Sequence, residues 1–155
     1  MDWYRHRFRS RWDIGAPPDA VYAVLVAAED YPRWWPQVRE AVRTGDTGGA
    51  ARIRSLIPYD LWITAREERQ DPAARVIQAA LGGDVEGWAR WIVTPRTTGT
   101  RVFFEQSVVV RKPLLRRLAV PGRPFFRANH ALMMCRGRRG LRARLAGAGG
   151  TSGAV

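Results

Sequence analysis

The chain has 155 residues, 46% of them hydrophobic, which suits one domain with a packed core. No apolar run reaches the roughly 18 residues of a membrane span, the opening "MDWYRHRFRSRWD" has no signal-peptide core, and the single Cys135 excludes an internal disulfide, so a cytoplasmic protein is expected. The net charge of +12 is local: residues 1–110 carry 15 basic and 14 acidic side chains, and from Arg111 onward come eleven basic residues and no acid.

The first predicted element is a strand. Tyr4, His6, Phe8, Ser10, Trp12 and Ile14 alternate with Trp3, Arg5, Arg7, Arg9, Arg11 and Asp13, the pattern of a half-buried strand with its arginines in water. Pro17 and Pro18 then suit a helix start, and Asp19 suits its first turn. Pro32 and Pro36 bracket Arg33, Trp34 and Trp35 and allow one further turn only. Two adjacent tryptophans on one turn point different ways, so one is expected in the core and one at a rim.

Six strands are expected next, over 38–44, 50–58, 61–70, 74–81, 84–94 and 100–110. Gly48-Gly49, Asp71-Pro72, Gly82-Gly83 and Thr98-Gly99 mark hairpin turns, so the strands form an antiparallel meander. Gly87 and Ala89 are small enough to let a helix approach the sheet. Pro113 opens a helical region that Pro121, Gly122 and Pro124 break. A long helix follows over about 124–146, and residues 147–155 are expected to be a disordered tail. On that helix Phe126, His130, Met133, Met134, Gly137, Leu141 and Leu145 share one side, which places a titratable ring within an apolar stripe.

This order of elements resembles the START-like helix-grip superfamily (SRPBCC), which includes polyketide cyclases, dehydrases and lipid-transfer domains. "APPDAVYAVLVAAEDYPRWWPQV" is similar to its opening helices. "GWARWIVTPRTTGTRVFFE" is similar to its penultimate hairpin, and "RPFFRANHALMMCRGRRGLRARL" to the closing helix of a bacterial subgroup. The resemblance implies an α+β helix-grip fold: a curved seven-stranded antiparallel sheet around a long C-terminal helix, with two short helices after the first strand. It makes residues 1–146 a single ligand-binding domain. It also implies a small hydrophobic ligand, such as a lipid, isoprenoid or polyketide, held between sheet and helix. The subgroup's large aromatic near Gln106 and acidic residue near Ala131 are missing, so no ligand contact made by either is carried over.

A cavity of that kind needs a few polar groups among many apolar ones. His130 and Asn129 on the helix, and His6, Ser10 and Gln106 on inward strand faces, are the candidates. Trp34, Trp35, Phe8, Trp91, Phe104, Val108, Phe126, Met133 and Met134 are its candidate apolar lining, and each serves equally as core. Burial would keep His130 neutral, suited to donating a hydrogen bond, to acting as a base, or to a purely structural role.

Catalytic patterns are sparse. Two histidines and one cysteine make no metal-ligand spacing, and the chain holds no phosphate-binding glycine loop and no nucleophile elbow, so neither metal nor cofactor is expected. His130 is the one candidate general base. The leading reading is a binder or carrier of a hydrophobic molecule; the alternative is an aromatic polyketide cyclase or dehydratase using His130. Nucleic acid is not expected, because charge without a binding motif is its sole support. Arg111, Lys112, Arg116, Arg117 and Arg123 surround the leucines Leu114, Leu115 and Leu118. This segment either lies weakly on an anionic membrane or packs its leucines inward.

Overall fold

Alternation decides the first strand, β1 (Arg5–Ile14). Arg7, Arg9 and Arg11 are exposed, His6, Trp12 and Ile14 are buried, and Phe8 and Ser10 are half-buried. The structure is a computed structural model that describes residues 5–54, 60–111 and 123–150. Trp3, Tyr4, the expected strand end at 55–58, the helical region after Pro113 and most of the basic leucine segment lie outside those residues.

Helix α1 (Pro18–Val26) begins as expected, with Pro18 where a missing N–H costs nothing and Asp19 in its first turn. A 3-10 helix (Ala28–Arg33) follows and contains Pro32. The strands are β2 (Val38–Arg43), β3 (Gly48–Arg54), β4 (Asp60–Asp71), β5 (Val76–Gly83), β6 (Val85–Arg96) and β7 (Gly99–Val110). They form one antiparallel sheet in the order β1-β7-β6-β5-β4-β3-β2, so the chain meanders and the first strand closes against the last. Gly48 and Gly49, expected as a turn, belong to β3, where Gly49 pairs with Arg43 and Ala65. Helix α2 (Arg123–Gly150) is longer than expected and takes in residues 147–150 of the expected tail.

The inner face of the sheet and α2 enclose the main core. His130, Met134, Gly137 and Leu141 are buried on one side of α2, as the stripe requires. Trp12, Trp35, Trp91 and Phe104 form a chain of aromatic contacts with ring centroids 4.6–6.2 Å apart. A smaller cluster of Ile63, Val85 and Val108 packs with Phe8 and Leu81.

The tryptophan pair departs from expectation. Trp34 and Trp35 are both buried, at 6% and 4% exposure. Their rings stack at 5.4 Å and 20°. The helix makes room for them: a Cβ at Gly137 would stand 2.6 Å from Cε2 of Trp35, and one at Gly140 would stand 1.7 Å from the carbonyl oxygen of Trp34. The close approach between helix and neighbour therefore rests on helix glycines. Gly87 has a different role, because its Cβ would collide with the Ser107 carbonyl of the adjacent strand at 1.9 Å.

Candidate functional site

Inward positions on the middle strands are unusually small. Ala51 lies opposite Ala41 and Ile63, Ala79 opposite Ala89, and Ala89 opposite Gln106. Each alanine leaves space that a larger residue would fill, and Met133 of α2 faces the same space. The result is a cavity of about 270 Å³ bounded by these alanines, Ile77, Leu81, Trp35, Trp91, Phe104 and Met133. That is just below the size of most small-molecule sites, roughly 300–1,000 Å³. Glu29, Arg43, Thr47, Glu67 and Gln70 bring polar groups to the part of the wall formed by the 3-10 helix, the β2–β3 hairpin and β4.

Gln106 is the polar group that β7 carries to this wall, at a position where its neighbours in the strand register are Phe8 and Ala89. Behind it stands His130. The ring Nε2 lies 3.2 Å from Gln106 Oε1. With the amide oxygen toward the ring, Nε2 carries the proton and donates it. Phe8 stacks on the imidazole at 4.0 Å and 10°. His130 is 8% exposed, and burial lowers its pKa to about 4, so the ring is neutral at physiological pH. The arrangement fixes the carboxamide oxygen of Gln106 by a neutral donor.

Residues 5–146 match the family described as "Polyketide cyclase / dehydrase and lipid transport". The chain belongs to that family. No curated protein sequence matches it. Solved structures show the family fold. The Zhui aromatase/cyclase from a Streptomyces species is 16% identical and superposes with a TM-score of 0.79 over 97% of this chain and 99% of that one. A START superfamily protein from Mycobacterium smegmatis is 16% identical, with a TM-score of 0.73 over 91% and 97%. The di-domain aromatase/cyclase StfQ of the steffimycin pathway is 14% identical at a TM-score of 0.73, with 96% of this chain covering 53% of that one. These identities establish the helix-grip fold and carry no residue roles.

Within this family member, five of the expected site residues meet at the cavity: Trp35, Trp91, Phe104, Gln106 and Met133. His130 and Phe8 lie one layer behind Gln106. Trp34 and Met134 are core, and Val108 belongs to the smaller cluster. Ser10 faces inward on β1 opposite Phe104 but does not reach the cavity wall. His6 is buried edge-on against Phe126 at 5.2 Å, and burial, with Arg123 and Arg127 nearby, lowers its pKa. Asn129 borders a separate small cleft on the other side of Met133. The alanines at 41, 51, 65, 79 and 89 were not among the expected residues, although small residues recurring at inward strand positions are a readable signal. No group of three or more metal-ligating side chains occurs among the described residues, and no described helix is long and apolar enough to cross a membrane.

Proposed function

We propose that this protein binds or carries a small hydrophobic molecule of the lipid, isoprenoid or polyketide kind in the cavity between sheet and helix. One observation carries the reading: a 270 Å³ apolar space kept open by small side chains, with the carboxamide of Gln106 presented to it. Such a wall solvates a hydrocarbon or fused-ring body, while the Gln106 N–H groups orient one carbonyl or hydroxyl oxygen. Apolar burial supplies affinity at about 25 cal/mol per Å², and the Gln106 contact selects the orientation. Native mass spectrometry of the purified protein tests this directly. A co-purifying hydrophobic mass that solvent extraction removes is the expected result. A protein that carries no such mass and takes up no long-chain alcohol when one is offered refutes it.

The cyclase or dehydratase reading has one observation in its favour: His130 is neutral, the form of the ring that can accept a proton. Against it, Nε2 of that ring is engaged by Gln106, and the ring does not border the cavity. In that reading the shaped cavity would do most of the work by holding reacting carbons together. Incubation with a poly-β-ketone substrate distinguishes the two: cyclised product that disappears in His130→Ala supports the enzyme.

A further inference from the structure

A second cleft of about 90 Å³ lies where β2, β3 and α2 meet, bordered by Gln37, Arg39, Arg54, Asn129, Met133 and Arg136, with Pro36 and Leu132. Three arginines from three different elements border this small space, and no acidic residue does so among the described residues. The placement of Arg39 is specific. The β2–β3 register slips between Val38 and Glu40, so Arg39 is the extra residue of a β-bulge and is turned out of the ladder. Arg39 and Arg136 form no ion pair among the described residues, while Arg54 shares Asp60 at 3.4 Å with Arg52.

Gln37 borders the same cleft. It is 9% exposed, its carbonyl accepts from the Arg54 N–H at 2.7 Å, and its buried Oε1 has no hydrogen-bond partner. An occupant of the cleft must accept from arginines. A phosphate monoester does so through its anionic oxygens, which suit guanidinium donors.

Met133 borders this cleft and the large cavity alike. Its carbonyl is held by the Trp35 indole N–H at 2.9 Å, which leaves a flexible thioether side chain as the partition. We propose that the cleft is an oxyanion site that takes a phosphate-type head group, and that the ligand of the cavity is amphipathic, its apolar body reaching past Met133. The second half of this proposal rests on the cavity reading given above.

Calorimetric titration of the full chain with decyl phosphate, decanol and inorganic phosphate tests it. Wild-type protein should bind decyl phosphate about tenfold more tightly than decanol. Arg39→Gln and Arg136→Gln should remove that preference and leave decanol affinity unchanged, with melting temperatures checking that both variants fold. Inorganic phosphate should compete with decyl phosphate and lose its own binding in the same variants. If inorganic phosphate shows this arginine dependence but decanol does not bind, the cavity reading fails and the oxyanion site stands. If decanol binds and the phosphate confers no arginine-dependent preference, the oxyanion site is wrong and the cavity reading survives. A preference that persists in both variants also overturns the site, as does the absence of any phosphate binding.

Discussion

Gly140 of the long helix lies against the backbone of Trp34, so close that a Cβ would stand 1.7 Å from the Trp34 carbonyl oxygen. An exposed helix interior gains about 0.5–1 kcal/mol when Gly becomes Ala. Here the sign reverses, because neither the carbonyl nor the stacked indoles can yield cheaply. Gly140→Ala should destabilise the protein by about 1–3 kcal/mol, with Gly137→Ala next, since its obstacle is the buried ring of Trp35. Gly147 has nothing within 4 Å of such a Cβ, so Gly147→Ala should be neutral or stabilising. Chemical denaturation of the three variants checks the order. Equal behaviour of Gly140→Ala and Gly147→Ala would show that the helix does not clasp the tryptophans in this way.

Burial of His130 makes stability depend on pH in a defined window. Its folded pKa is lowered to about 4 from the ordinary 6.5, so between these values the unfolded chain binds a proton that the folded chain refuses. Stability therefore falls as pH drops from about 6.5 to about 4 and loses nothing further from this group below that. The whole window is worth up to about 3 kcal/mol. His6 shifts in the same direction and adds to the slope. The lowered Asp13, Asp60 and Asp71 act only in a more acidic range, as pH falls below the ordinary carboxylate value of 3.8. Urea midpoints between pH 7 and pH 4 should fall less steeply in His130→Leu than in wild type. Parallel curves would place the wild-type ring in a more solvated setting.

The sequence made the strands and the helix stripe readable, because alternation in β1 and β7 and the spacing of Met134, Gly137 and Leu141 are local periodic signals. It did not show where both tryptophans go, because Trp34 and Trp35 are accommodated by glycines about a hundred positions later in the chain. Nor did it place the cavity. His130 stood out as a polar residue on an apolar face, but the structure sets it behind Gln106. The space itself comes from Ala41, Ala51, Ala65, Ala79 and Ala89, whose contribution is the side-chain volume they lack. Arg39 was equally silent, since a β-bulge depends on how two strands pair and not on the residue's own neighbours.

That origin of the cavity gives a direct test. Ala79 faces inward opposite Ala89 and borders the open space, so Ala79→Leu projects three extra carbons into volume that no side chain occupies. Overpacking a filled core costs typically 1–3 kcal/mol, but here there is little to displace, so stability should stay within about 1 kcal/mol of wild type. Decanol affinity should fall by about tenfold or more. Unchanged affinity would mean that the alcohol binds elsewhere on the protein.

The pairing of His130 with Gln106 can be separated into its structural and ligand-facing parts. Replacing Gln106 by Leu leaves the buried Nε2–H of His130 without its acceptor, at a cost of about 1–3 kcal/mol. Replacing His130 by Leu leaves the carboxamide free to turn toward the cavity, where a trapped water or ligand can still satisfy it. The double substitution removes both partners, so its cost should be smaller than the sum of the two, with a coupling of about 1 kcal/mol. Ligand binding should separate the pair differently. Gln106 borders the cavity and His130 does not, so Gln106→Leu should weaken binding of a carbonyl-bearing probe such as decanal while leaving decane affinity unchanged. His130→Leu should move stability more than affinity. Denaturation and calorimetry on the four proteins measure both quantities. Strict additivity in stability would show that the two side chains do not interact, and a His130 variant that loses decanal binding while Gln106→Leu keeps it would place the ring and not the carboxamide at the ligand.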